Sequence, residues 1–253
     1  MYEVSVITTS KNYGKYLETC IQSVRRQTHR LVSRVNHIVV DGGSIDNTLM
    51  ILNQYEDYIK YIVEPEEGQT AALNHAMQIV DDEYPDTTHI GWVNADDFYR
   101  HYWLEAMMDI LRKEPEDVAL VCSDIVLYDG VTEDRTTWGL QRYFDKAFFG
   151  RHGNTVSQPS VLIRLSKFKE LKDKYGFYFN PAFDYCQDLE LWYRFLDSGC
   201  RIRHLPKLTA YLRLHEAQMS NTARPQQSKE RDIVIKKMCE DTGTPLPLWY
   251  GKW

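Results

Sequence analysis

Asp96 and Asp97 stand side by side where an apolar run, His89-Ile90-Gly91-Trp92-Val93, ends. Adjacent like charges at a strand end are costly to hold, and a cation between them relieves the repulsion. Magnesium and manganese prefer hard oxygen ligands and take one or two carboxylates plus substrate phosphates, so the pair suits a metal bridging to a diphosphate. Such an ion acts as a Lewis acid when a diphosphate departs. The competing explanation is a helix N-terminal carboxylate pair favoured by the dipole of a helix over Tyr102–Arg112. Spacing alone does not choose between them.

Three further positions could do chemistry. Asp41 follows an apolar run and precedes Gly42-Gly43-Ser44, where glycine lets the backbone turn sharply and approach a flat ligand. Its carboxylate could accept from a nucleobase N–H or a ribose hydroxyl, or simply bond its own turn. Asp188, in Gln187-Asp188-Leu189-Glu190-Leu191-Trp192, opens an expected helix. It could act as a general base facing a reactive centre, or as a helix cap. His215 follows Tyr211-Leu212-Arg213-Leu214 at an expected strand end. A neutral imidazole there could complete a metal shell, and a surface or core histidine is the plain alternative.

The elements that must position these residues alternate. Val4–Thr8, Asn36–Val40, Tyr61–Val63 and His89–Val93 are apolar, β-branched runs that predict strands. Between them Leu17, Cys20, Ile21 and Val24, then Leu49, Leu52 and Tyr55, then Leu73, Ala76, Met77 and Val80 fall on helical faces. Asp46 or Asn47 can cap the second of these helices. Leu104, Met107, Met108 and Leu111 make a fourth stripe. This β-α alternation predicts an α/β fold: a single three-layer α/β/α domain with a mostly parallel central sheet and a Rossmann-like N-terminal half. Ligands in such sheets sit beyond the carboxyl ends of the strands. Thr8–Asn12, Asp41–Ser44, Glu64–Gly68 and Asn94–Asp97 all lie there. Later come expected strands at Val118–Ser123, Ser160–Arg164, Ile202–Leu205 and Ala210–His215, a helix at Asp188–Leu196, and a mobile loop at Phe148–Asn154. A helix around Gln227–Cys239 and an aromatic tail, Trp249–Trp253, close the chain. The tail is expected to pack back on the domain, with peripheral contact to a membrane or partner as the alternative.

The chain has 253 residues, 43% hydrophobic and 26% charged, which describes a globular protein with a substantial core. A net charge of −6 excludes broad electrostatic binding of nucleic acid, so phosphates would need a local site with its own cation. The 5 cysteines are scattered without a Cys-x-x-Cys pair, which predicts reduced thiols in the cytoplasm. No signal-peptide pattern or transmembrane-length apolar run is expected.

In order along the chain, these pieces resemble the inverting glycosyltransferases of family 2, with the GT-A fold. Val4–Tyr13 resembles the family's nucleotide-facing strand and loop, and Glu18–Thr28 its "L-x-x-x-I-x-S-V-x-x-Q" helix. Val40–Thr48 is similar to "D-G-S-x-D-x-T", Asn94–Asp97 to the DXD-type metal site, and Gln187–Trp192 to "E-D-x-x-L-W". Arg213-Leu214-His215 followed by Ser220 resembles "R-x-H-x-x-x-x-S". The departures are Gln187 for the usual Glu, Asn94 for a frequent Asp, and Ala71 in Gly68–Asn74, where an Asp often contacts donor.

The resemblance implies transfer of a sugar from a nucleotide-diphosphate donor, expected to be a UDP-sugar, to a hydroxyl of a saccharide or lipid-linked saccharide. It implies donor binding by Thr8, Ser10, Asn12, Asp41, Asp96 and Arg213, with Asp96 on ribose or metal. Asp97 and His215 would ligate Mn2+ or Mg2+, and Asp188 would be the base. Residues 1–220 would form the GT-A domain, with a nucleotide-binding half to about 100 and an acceptor half beyond it. Residues 221–253 would add the C-terminal helix and tail, and the protein would act in the cytoplasm at the inner membrane face. Three alternatives remain at this point. One is a sugar-1-phosphate nucleotidyltransferase, disfavoured by a Gly- and Arg-poor Thr9–Gly14 loop. The others are a non-catalytic sugar-nucleotide-binding module and a scaffold acting through the tail.

Overall fold

The computed structural model describes residues 1–65, 68–136 and 143–251. Parts of the Glu64–Gly68 and Asp129–Asn154 segments, and Lys252 and Trp253 of the tail, lie outside the described residues.

Four strands open the chain: β1 (Tyr2–Ser10), β2 (Val32–Asp41), β3 (Lys60–Val63) and β4 (His89–Trp92). Right-handed crossover units need helices between parallel strands, and α1 (Gly14–Arg25), α2 (Thr48–Gln54) and α3 (Gln69–Glu83) supply them. Each helix buries the face that its periodicity marks: Leu17, Cys20, Ile21 and Val24 on α1, and Leu73, Ala76, Met77 and Val80 on α3. Strand side chains alternate between the two layers. Val4 and Val6 pack with Val24, Trp103 and Met107, whereas Ile7, Ile38 and Val40 pack with Leu73, Met77 and Trp192. A fully buried Leu73 contributes roughly 2–3 kcal/mol, and Leu73→Ala would cost about 2–5 kcal/mol.

The sheet continues through β5 (Phe98–Tyr99), α4 (Trp103–Leu111), β6 (Val118–Tyr128), β7 (Glu133–Thr136) and β8 (Tyr143–Phe144). After α5 (Lys146–His152) come β9 (Leu162–Arg164), α6 (Leu165–Tyr175), α7 (Gln187–Asp197), β10 (Arg201–Arg213), α8 (Met219–Thr222) and α9 (Arg224–Thr242). The order is β3-β2-β1-β4-β9-β6-β10-β5, with β7 on β6 and β8 on β10. β1 to β4, β6 and β10 all point the same way. β9 runs against both its neighbours, and β5, β7 and β8 are also antiparallel. The sheet is therefore mostly parallel but mixed.

Three local expectations change. Phe148–Asn154 is not a loop: α5 occupies Lys146–His152, with Asp145 accepting from Phe148 N at 2.7 Å as its cap. The two expected late strands are one, β10, whose register shifts around Leu205–Ala210 let it pass Pro206. α6, with Leu165, Phe168 and Leu171 inward, is additional. The start of the tail packs back as expected: Trp249 and Tyr250 lie against the main core, and the Arg231 guanidinium sits 4.9 Å from the Trp249 ring.

Candidate active site

A cleft of about 620 Å³ opens at the carboxyl ends of β1, β4, β6 and β10. Chain direction explains its place: strands that end on one edge hand over to loops there, while the helices cover the faces. Ser10, Asp96, Asp97, Asp188 and Arg213 all line it. His215 stands behind Asp96, its Nε2 3.1 Å from Asp96 Oδ2. These residues come from sequence positions up to 205 apart and meet because the strands share a direction.

Thr8, Asn12 and Asp41 do not line the cleft. Thr8 is fully buried, its hydroxyl 2.9 Å from His37 Nε2. Asp41 is also fully buried and accepts from Gly43 N at 3.1 Å, Ser44 N at 2.8 Å and Ser44 Oγ at 2.5 Å. Asn12 sits at φ 60°, a left-handed conformation that Asn tolerates, and staples two loops: its N–H donates to Ser44 Oγ and its Oδ1 accepts from Ile45 N. Ser10 keeps a buried hydroxyl without a partner among the described residues.

The acid pair is electrostatically strained. Asp97 is 5% exposed, and its Oδ1 accepts from Arg213 N at 2.8 Å. Burial, then the Asp96 charge, pushes its carboxyl well above the ordinary carboxylate range, with Arg213 opposing the rise. The Arg213 Nε donates to the Asp96 carbonyl at 2.9 Å. Its guanidinium lies between the Tyr16, Phe98 and Tyr128 rings, at 4.8, 5.1 and 5.5 Å. Burial, Asp96 and Asp97 together also push the Tyr13 phenol up, so it remains a hydroxyl beside the pair.

The donor set fits a divalent cation. Asp96 Oδ1 and Asp97 Oδ2 accept nothing among the described residues, and His215 Nδ1 is buried without a partner. Hard oxygens with one imidazole suit Mn2+ or Mg2+. Among the described residues no three His, Cys, Asp or Glu side chains form a ready cage. The shell the protein offers is partial, the arrangement found where substrate phosphates and water supply the rest.

Across the cleft Asp188 is half-buried at the start of α7. Its Oδ1 accepts from Leu189 N at 2.7 Å and its Oδ2 from Asn154 Nδ2 at 2.6 Å. Burial raises its pKa, against those two hydrogen bonds, which makes it a stronger base than a free aspartate. Asp184, four residues earlier, reaches α3: it accepts from Thr70 N at 2.9 Å and lies against Gly68. Gly68 has φ +105°, and a Cβ there would come within 2.2 Å of Asp184 Oδ2. Only glycine fits that approach.

A chain of neutral amides joins the two walls. Gln158 Nε2 donates to the Trp92 carbonyl at 2.8 Å, and Asn94 Nδ2 donates to Gln158 Oε1 at 3.2 Å. Gln69 Nε2 donates to Asn94 Oδ1 and Thr9 Oγ1, both at 3.0 Å, and Gln187 Nε2 donates to Gln69 Oε1 at 2.7 Å. The Trp92 carbonyl can only accept, so it fixes the orientation of every amide down to Gln187. Gln69 falls in the Gly68–Asn74 stretch that resembles a family motif, whereas Gln158 and Asp184 are invisible in the sequence, because a neutral amide and a lone loop acid carry no spacing signal.

The family model for glycosyl transferase family 2 matches residues 5–172. The chain belongs to that family. An uncharacterized glycosyltransferase of Rickettsia typhi is 30% identical over 87% of this chain and 66% of its own length. The chain thus spans just under two thirds of that relative. TarS of S. aureus in complex with UDP-GlcNAc superposes with a TM-score of 0.64 at 17% identity, over 92% of this chain and 65% of that one. A mannosyltransferase from Pyrobaculum calidifontis, in complex with GDP-Man and Mn2+, gives 0.66 at 14% identity, over 94% of this chain and 64% of that one. This family 2 member therefore has the GT-A-like α/β fold. The matched segment carries Asp96 and Asp97 but ends before Asp188, Arg213 and His215.

Proposed function

We propose that the protein transfers a sugar from a nucleoside diphosphate donor, a UDP-sugar, to a hydroxyl of a saccharide or lipid-linked saccharide, with inversion. The observation that carries this reading is one cleft with a crowded, cation-seeking acid pair on one wall and a single raised carboxylate on the other. The ligands named for TarS and the Pyrobaculum enzyme, UDP-GlcNAc and GDP-Man with Mn2+, support the donor class and the metal. Asp97, Asp96 and His215 would hold Mn2+ or Mg2+, which supplies charge neutralisation as the diphosphate leaves.

The chain's own residues do the rest. Arg213, held among three rings, sets a permanent positive charge beside the pair. Ser10 offers its unpartnered hydroxyl to the nucleoside. Asn12 and Asp41 shape the loops around it, and Thr8 braces β1 from behind. Asp188 Oδ2 exchanges its bond from Asn154 for the acceptor hydroxyl and takes that proton as the oxygen attacks the anomeric carbon. In this assignment the nucleotide-binding half ends near residue 100 and the acceptor half follows. Five free, buried cysteines accord with a reducing cytoplasmic setting, at the inner membrane face when the acceptor is lipid-linked. Among the described residues no helix is long and apolar enough to cross a membrane.

Thermal shift with UDP-GlcNAc and GDP-mannose, with and without Mn2+, should identify a donor whose stabilising effect needs metal. With that donor, Asp188→Asn should leave binding near the parent and lower turnover by about 10²–10⁴. Parental turnover would remove Asp188 from the role, and a product of retained anomeric configuration would end the inverting assignment. Because Asp188 must be ionised to act, and burial raises its pKa, activity should fall as pH drops through a value above the ordinary aspartate figure of about 3.9.

A further inference from the structure

We propose that Glu230, on the C-terminal helix α9, is a positioning residue for Asp188, so that this helix belongs to the catalytic apparatus. The proposal rests on Asp188 as the base. The Glu230 carboxylate accepts from consecutive backbone N–H groups: Asp184 N at 3.1 Å on Oε1, then Tyr185 N and Cys186 N, both at 2.8 Å, on Oε2. These groups lead directly into α7, whose first two residues are Gln187 and Asp188. The opening N–H groups of a helix have no partners within it, and α7 has no side-chain cap of its own at Cys186. Successive N–H groups facing inward form a concave anion nest, and the α7 dipole adds to its pull. Here the anion is internal, delivered from 44 to 46 residues away.

The grip is two-sided. One turn before Glu230, Gln227 donates to the Tyr185 carbonyl at 3.3 Å. From the opposite side α3 holds the same loop, with Thr70 N bonded to Asp184 Oδ1 at 2.9 Å and Thr70 Oγ1 to the Phe183 carbonyl at 2.5 Å. α9 itself cannot shift easily, because Ile235 and Met238 are fully buried in the main core. Glu230 therefore transmits the position of a core-anchored helix to the first turn of α7, and so to the Asp188 carboxylate. A glutamine at 230 keeps the size but replaces one accepting oxygen with an NH2 that would face N–H groups. The loop must then open and carry Asp188 with it. A reactive group misplaced by about 1 Å loses on the order of 10² in rate.

The test uses the full chain, the sugar nucleotide chosen by the donor screen, Mn2+, and nucleotide release as readout. Rates are normalised to the fraction of chains that bind UDP or GDP. Glu230→Gln should lower kcat about 10²-fold while leaving the nucleotide dissociation constant unchanged. Glu230→Asp keeps the charge but is one methylene short, and should show the same split with a smaller loss. It also provides the measurement if the glutamine variant does not fold. Asp188→Asn is run alongside. If it is inactive while both Glu230 variants turn over at the parental kcat, the positioning role is overturned and the base assignment stands. If Asp188→Asn is fully active, the base assignment falls and takes this proposal with it.

Discussion

Asp41 and Asp97 are both buried carboxylates at the carboxyl edge of the same sheet, 0% and 5% exposed. They differ in what surrounds their oxygens. Asp41 is saturated by its own turn, accepting from two backbone N–H groups and the Ser44 hydroxyl. Asp97 accepts one backbone N–H and faces a second carboxylate. A saturated carboxylate organises a loop, and one left short beside a like charge is available to a cation. The sequence pattern of an acid after a strand is common to both, and only the count of donors separates them.

The largest effect expected from breaking this contrast is at Asp97. Asp97→Ala should abolish the Mn2+-dependent rise in Tm and lower turnover by roughly 10³, the scale of a lost Lewis acid. In chelator, Asp97→Asn should melt no lower than the parent, because it removes one of two crowded charges. A Mn2+ response that survives Asp97→Ala would place the metal elsewhere. Asp41→Asn should behave oppositely. It strands a buried donor and costs about 1–3 kcal/mol in urea unfolding, with turnover changed little once folding is allowed for. Parental stability with lost donor binding would instead show Asp41 to be a direct donor contact. The smallest effect is expected at the amide chain. Gln158→Leu leaves the Trp92 carbonyl and Asn94 Nδ2 without partners, and should raise the donor KM about fivefold with kcat nearly unchanged. An unchanged KM would mean the chain does not orient the donor side of the cleft.

The N-terminal half was legible because its helices carry wide apolar stripes and three of its strands, β1, β2 and β4, hold runs buried on both faces. Leu73, Ala76, Met77 and Val80 mark α3 without help from any other part of the chain. α6 was not legible: it begins directly at Leu165 after β9, with no capping side chain, and its stripe is diluted by lysines. α5 was hidden by its glycines. Gly150 lies within the helix because Cys239 Sγ would come within 3.1 Å of a Cβ there, and Gly153 ends it at φ 77°. β5, β7 and β8 are 2 to 4 residues long, too short for any period to register. In the site, charged residues at element ends could be read one at a time. The partners that give them meaning could not: Gln187 and Gln69 lie 118 residues apart and Glu230 lies 44 from Cys186.

β9 has a consequence for how this protein is made. Residues 1–92 contain all of β1 to β4 and can zip together as a parallel unit while synthesis continues. β6 is different. β7, at 133–136, meets one end of one edge at once, but the rest of that edge awaits β9, at 162–164, and the whole of the other awaits β10, at 201–213, so a long, apolar ribbon must leave the ribosome well before most of its flanks exist. During that interval the nascent chain carries a sticky, unpaired edge, the kind that misassociates with a second copy. Chaperone dependence and aggregation on overexpression should therefore trace to residues 118–128.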